Sequence, residues 1–240
     1  DMNLINLGAI FGGNDLVLPS YLAFLFTIFC VVGITNAFNW IDGIDGFFSF
    51  QVLLALVGLI IIGRGGFTLA HLSLLAALLP YSIMNLGLLG KKFKVFIGDH
   101  GAMMIGFFLA CSFIFLTQDP LNIYEQSVRP VEALWCVGLV LLNALRVIWK
   151  RFIKKLSIFS SDREHIHHYF LDQGFSNHQT LLSVWFISFS ISAFGFLLFF
   201  LNTPEWLSLL IFLSILLIWS WIGKFSNQKT KIQESLQSSK

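Results

Sequence analysis

The sequence predicts an all-α protein, a polytopic bundle of about seven transmembrane helices with its N-terminus outside and its C-terminus in the cytoplasm. Three observations predict it. Hydrophobic residues make up 56% of the chain and charged residues only 12%, about half the charge fraction of an ordinary soluble domain. Apolar runs recur at lengths near the ~20 residues that a ~30 Å hydrocarbon core requires. Lys and Arg crowd into alternate loops.

The predicted spans, in order, are Leu16–Thr35, Phe47–Ile62, Thr68–Leu89, Phe96–Leu116, Val131–Trp149, Thr180–Leu201 and Trp206–Ile222. None shows the strict alternation of a membrane strand, and a bilayer interior offers no water to a bare backbone, so each is read as a helix. The second and the last are short for a full crossing. Phe occurs 27 times and Trp 7 times, which suits lipid-facing and interfacial positions. Asp1–Asn6 is polar with no basic stretch before the first span, so no signal peptide is expected. The chain begins with Asp rather than Met, which predicts a fragment or a processed product. Cys30, Cys111 and Cys136 sit singly in apolar runs without ligand spacing and read as buried free thiols. The membrane domain is expected over 1–223, with a polar tail at 224–240.

Of the fifteen Lys and Arg residues, twelve fall in one set of loops: Lys91, Lys92, Lys94, the cluster from Lys150 to Arg163, and the tail. The other set has Arg64 and Arg129. Short loops obey the positive-inside rule well, so the basic side is expected to be cytoplasmic. The net charge of +2 is too small to suggest nucleic acid. Asp42, Asp45, Asp99, Asp162, Glu164 and Asp172 share the basic face, as do His100, His165, His167, His168 and His178. Acids, imidazoles and cations from distant loops on one face predict an active site. His71 lies on the opposite side, at a span entry, and reads as structural.

Three clusters carry the chemistry. In the first, Asn36, Asn39, Asp42 and Asp45 recur every third residue, aiming two amides and two carboxylates into one space at a span end. Oxygen donors of this kind suit Mg²⁺ or hydrogen bonds to a polar substrate, and acids near membrane depth are costly without a function. Gly43 and Gly46 permit a tight backbone there. The second runs from Lys94 to Gly106, and in it Gly98-Asp99-His100-Gly101 opens a span, where a carboxylate can reach a cation and free backbone N–H groups can hold phosphate. The third runs from Phe159 to Gly174 and contains Asp162-Arg163-Glu164-His165-Ile166-His167-His168. Its imidazoles could bind a transition metal. Arg163 and the absence of further ligands favour recognition of a diphosphate and sugar.

This ordered trio, NxxNxxDGxDG, GDxGxxxxG and DRxHIHH, resembles the polyprenyl-phosphate N-acetylhexosamine-1-phosphate transferases. It is most similar to the bacterial undecaprenyl-phosphate GlcNAc-1-phosphate type, over about Leu7 to Gly223. The resemblance implies transfer of a HexNAc-1-phosphate, most specifically GlcNAc-1-phosphate, from a UDP-sugar to undecaprenyl phosphate. UMP is released, and the lipid-linked product serves cell-surface polysaccharide such as lipopolysaccharide. It implies Asp99, Asp42 and Asp45 as catalytic carboxylates, with Asp99 and Asp45 ligating Mg²⁺ (or Mn²⁺). Asn36, Asn39, Arg163, His165, His167 and His168 would bind the substrate. It also implies a bacterial inner membrane protein with its active face cytoplasmic, and it allows a homodimer.

The sequence departs from the family pattern at three points. An earlier Asp-Asp motif with its N-terminal spans is not present, Ala102 stands where Ser is usual, and Asn143 where an acid is usual. The alternative reading is therefore a truncated or degenerate member that binds a nucleotide-sugar or a partner without catalysis. A transporter would place ionisable groups near the midplane of several spans, whereas here they sit at span ends.

Overall fold

The computed structural model describes residues 2–63, 68–118, 128–153, 155 and 166–219. The helices are α1 (Ser20–Asn39), α2 (Phe47–Ile62), α3 (Leu69–Asn85), α4 (Gly98–Gln118), α5 (Pro130–Cys136), α6 (Gly138–Ile153), α7 (Ile166–Asp172), α8 (Asn177–Phe200) and α9 (Glu205–Trp219). A short 3₁₀ turn, Lys91–Phe93, lies before α4. The extended backbone among the described residues is an isolated antiparallel bridge, Asn6 to Val17. The protein is helical and of membrane type, as its sequence predicts.

Helix starts follow local chemistry. Pro19 precedes α1, and Pro130 occupies the first turn of α5, where a missing N–H costs nothing. Ser176 and Gln179 cap α8 reciprocally: Ser176 Oγ accepts from Gln179 N–H at 3.3 Å, and Gln179 Oε1 accepts from Ser176 N–H at 2.9 Å. His71 does similar work at α3. Its Nδ1 accepts from Thr68 N–H at 3.0 Å, and its Nε2 lies 3.0 Å from Ser112 Oγ. The structural role expected of His71 holds.

By length and apolarity, α1, α4 and α8 can each cross a membrane, and α5 with α6 make a fourth crossing if that bent pair is one span. The remaining apolar helices, α2, α3 and α9, are shorter than a full crossing. The predicted span Val131–Trp149 needs correction, because it is broken and turns by 89° between α5 and α6. The break falls at Val137-Gly138. Glycine weakens the helix there, and the absent side chain lets α8 close in: a Cβ on Gly138 would lie 2.6 Å from Ile191 Cγ2. The last three residues of the predicted final span, 220–222, and the predicted tail, 224–240, lie outside the described residues.

Between helices in lipid, close packing rather than water exclusion supplies most of the cohesion, and small residues permit it. Gly106 of α4 is pressed against α1, since a Cβ there would sit 3.1 Å from Thr35 Cα and 3.0 Å from Phe38 Cβ. Gly58 of α2 receives the Cys136 thiol in the same way. The core around these contacts includes the fully buried Phe38, Phe47, Phe48, Leu56 and Leu109. A buried polar contact, Gln51 Nε2 donating to Ser188 Oγ at 2.5 Å, ties α2 to α8.

The consequence for function is a bundle with two unlike ends. At one end Gln118 of α4 holds the N-terminal segment, accepting from the N–H groups of Ile5 and Asn6 at 2.9 Å. Arg129, paired with Glu132, donates there to Thr203 O at 2.9 Å. At the other end the C-terminus of α1, the N-terminus of α2, the C-terminus of α3 and the N-terminus of α4 come together.

Candidate active site

The first cluster is split between a helix and a turn. Asn36 and Asn39 occupy the last turn of α1, and Asp42 and Asp45 the turn between α1 and α2. Asn36 donates its amide to Val32 O at 2.8 Å, one turn back along its own helix. Asn39 is different, for its Oδ1 is buried without a hydrogen-bond partner. An unpaired buried acceptor is costly, so a ligand donor is the natural complement.

The turn ends at Gly46, whose φ of 78° is the left-handed region. Its N–H donates to Asn85 Oδ1 at 2.7 Å, and its carbonyl accepts from Trp185 Nε1 at 3.1 Å. Asn85 is 3% exposed and donates its Nδ2 to Val95 O at 2.9 Å. A single carboxamide thus joins the turn before α2 to the segment leading into α4. Lys94, beside Val95, pairs with Asp45 and lies 5.4 Å from the Phe96 ring centre.

Asp99 stands exposed in the first turn of α4, immediately after Gly98, and a helix N-terminus favours its negative charge. It faces Asp42. Burial, with the Asp99 and then the Asp45 carboxylate nearby, raises the Asp42 pKa above its ordinary value. Tyr81 of α3 also lies within the field of Asp42 and Asp45. The three acids from two distant clusters therefore share one small region.

The third cluster is tied to the same end. Asn143, 1% exposed on α6, accepts from the Ile166 N–H at 3.0 Å and so fixes the start of α7. Arg151, at the end of α6, places its guanidinium 5.2 Å from the ring centre of Trp40, within the first cluster. Arg163 and His165 lie outside the described residues. His167 and His168 fall on α7, whose backbone is described there.

Among the described residues, no three of His, Cys, Asp or Glu come close enough to hold a metal ion by themselves. Mg²⁺ commonly takes one or two carboxylates and leaves its other positions to water and substrate phosphates. The donors present are hard oxygens, two of them adjacent to an acid whose proton affinity they raise. An apolar cavity of about 280 Å³ opens elsewhere on the α1–α4 seam, lined by residues such as Leu7, Phe26, Cys30, Ile34, Phe113 and Leu209. Its apolar walls offer little to a nucleotide.

The chain is similar to known proteins of one kind. The family model described as glycosyl transferase family 4 matches residues 1–117. The undecaprenyl-phosphate alpha-N-acetylglucosaminyl 1-phosphate transferase of Escherichia coli O157:H7 is 35% identical over 229 residues, which is 93% of this chain and 61% of that protein. Its counterpart in Salmonella typhi is 36% identical over 228 residues, with the same two coverages. That of Yersinia pestis is 33% identical over 228 residues, 92% of this chain and 60% of that protein.

Over residues 1–117 the chain resembles glycosyl transferase family 4.

It spans about three-fifths of the length of these relatives. Within the described residues, the fold brings Asp42, Asp45 and Asp99 together and sets Asn39 at the end of the adjoining helix. Asn36 spends its amide donor on its own backbone. Sequence reading missed Asn85 and Trp185 as parts of the arrangement. Lys94 was visible as a charge but had no assigned partner, and Asn85 and Trp185 sit in apolar runs without a motif of their own. An amide in the last turn of an otherwise apolar span was the available signal for Asn85.

Proposed function

We propose that the protein transfers N-acetylhexosamine 1-phosphate, and specifically GlcNAc 1-phosphate, from a UDP-sugar to undecaprenyl phosphate. The products are a lipid-linked diphosphate sugar and UMP, and the product feeds cell-surface polysaccharide such as lipopolysaccharide. The observation that carries this reading is the meeting of Asp42, Asp45 and Asp99, with Lys94 among them, at one end of the bundle. The family match over residues 1–117 and the likeness to undecaprenyl-phosphate alpha-N-acetylglucosaminyl 1-phosphate transferases support it.

In this reaction an oxygen of the lipid phosphate bonds to the phosphorus that carries the sugar. The bond from that phosphorus to the bridging oxygen breaks, and its electrons leave with UMP. Both reactants are anions, and their repulsion must be screened where they meet. Lys94 supplies positive charge next to Asp45, and Lys91 and Lys92 lie just upstream on the same approach to α4. Asp99 and Asp45 would hold Mg²⁺ (or Mn²⁺), which when bound neutralises phosphate oxygens. Asn39 Oδ1 would accept from the nucleotide-sugar, while Arg163, His165, His167 and His168 would hold the diphosphate and sugar. Lys94, held beside Asp45, would present its ammonium to a phosphate oxygen.

The same reading sets the acidic end at the cytoplasmic face of the bacterial inner membrane, where a soluble UDP-sugar meets a lipid that stays in the bilayer. The positive-inside count supports that orientation, with seven spans, an outer N-terminus and α2, α3 and α9 as short crossings. A homodimer is compatible with it.

The test is conversion of radiolabelled UDP-GlcNAc to an organic-extractable product by membranes containing the protein, with Mg²⁺ and undecaprenyl phosphate. Activity that disappears with EDTA and in Asp99→Asn is expected. No product from any UDP-HexNAc would overturn the reading and favour a family member that binds a nucleotide-sugar without transferring it.

A further inference from the structure

Asn85, Gly46, Asp45, Lys94 and Val95 form a closed ring. The chain runs from Asp45 to Gly46, crosses by hydrogen bond to Asn85 and again to Val95, continues to Lys94, and returns through the ion pair to Asp45. Asn85 is the one member of this ring that belongs to neither acidic cluster. It is buried, and both functions of its carboxamide are used on backbone: the oxygen accepts from Gly46, and the nitrogen donates to Val95. No other standard side chain of that size provides an acceptor and a donor in a planar fork. A leucine would fill the volume and leave the Gly46 N–H and the Val95 carbonyl unpaired. An aspartate would keep the acceptor but set a negative charge against a carbonyl oxygen.

We propose that Asn85 is a positioning residue of the acidic site, setting the separation of the Asp42–Asp45 turn from the Asp99 turn and hence the geometry offered to a divalent cation. This rests on the cation-assisted reading of the site given above. The reasoning is that of an outer-sphere partner. The acids need fixed spacing, their backbones lie in two separate loops, and Asn85 bonds to both. Trp185 donates to the Gly46 carbonyl, so both backbone polar groups of Gly46 are held by side chains. Groups that orient metal ligands in this way commonly change metal affinity 10- to 100-fold when replaced, an order-of-magnitude guide to what Asn85 controls.

The experiment compares the detergent-purified wild-type protein with Asn85→Leu, Asn85→Asp and Asp99→Asn. Three quantities are measured: Mn²⁺ binding by electron paramagnetic resonance, amide hydrogen exchange by mass spectrometry, and thermal unfolding. In Asn85→Leu, exchange should quicken in the peptides covering 43–47 and 93–99 and stay unchanged in α8, with Mn²⁺ affinity falling about tenfold. Asn85→Asp should loosen only the 93–99 peptide. Unchanged exchange in both loops would overturn the proposal. So would acceleration spread through the whole bundle, which marks a general structural role. If the wild-type protein binds no Mn²⁺, the cation reading of the site fails on its own, and the positioning role is decided by the two loop peptides.

Discussion

Asp42 in the α1–α2 turn lies within the electrostatic reach of Asp99 in the first turn of α4, and burial together with that second carboxylate raises the proton affinity of Asp42. The folded state therefore favours protonated Asp42. Stability from this group is fully present below its ordinary pKa of 3.8 and is lost as pH rises through the raised folded value. Asp99→Asn removes one of the two like charges. The variant is expected to lose transfer activity by at least about 100-fold, yet to unfold at a slightly higher temperature at pH 7. Asp42 is half exposed, so the gain should be at most about 2 °C and should vanish near pH 3. Thermal unfolding at the two pH values, beside the radiolabel assay, checks it. A lower unfolding temperature at pH 7 would show that Asp99 is not a source of strain.

Gly46 carries the turn that delivers Asp45. With φ at 78°, any L side chain costs about 1–2 kcal/mol, and a Cβ there would also collide with Leu86 Cδ2. Gly46→Ala is expected to lower the unfolding temperature and to reduce activity on the order of 10- to 100-fold, because displaced acids lose the shared region. Kinetics alongside a melting curve separate the two effects.

Asn143→Ala should act on the third cluster. The Ile166 N–H, now bonded to Asn143 Oδ1 in a buried position, would be left without an acceptor at a cost of about 1–3 kcal/mol. The start of α7 would loosen, and the Michaelis constant for the UDP-sugar is expected to rise more than the turnover falls. Equal changes in both would place α7 away from donor binding. Asn143→Asp keeps the acceptor and should retain most of the donor affinity.

Gly195 of α8 tests packing alone. A Cβ would overlap Cβ and Cγ of the buried Trp135, whose indole N–H donates to Ser208 Oγ at 2.9 Å. Gly195→Ala is expected to destabilise the bundle by about 1–3 kcal/mol. The Michaelis constant for the donor should stay unchanged, since none of the acids is near. A melting curve and initial rates at two donor concentrations suffice.

Much of the site was legible because its chemistry is local. Asn36, Asn39, Asp42 and Asp45 lie within ten residues, and Asp99 sits between glycines at a span entry, a place where a carboxylate at membrane depth demands a reason. The α1, α2, α4 and α8 spans were legible from apolarity, with ends within a few residues of those observed. The broken fifth span was not. Val137-Gly138 interrupts a run whose hydropathy is continuous, and the break depends on Ile191 arriving from α8.

The sequence alone determined the all-helical membrane class, the order of the apolar segments, the family resemblance and the identity of the acids. These follow from composition, from run length against bilayer thickness, and from motifs whose residues are neighbours in the chain. Tertiary structure alone decided which distant residues share a space. It put Asp99 beside Asp42, Lys94 on Asp45, Asn85 between Gly46 and Val95, and Arg151 on Trp40. The physical reason is that hydropathy and spacing act along the chain, whereas a hydrogen bond or an electrostatic shift depends on distance in space. That distance is fixed where Gly106 lets α4 close on Thr35 and Phe38 of α1.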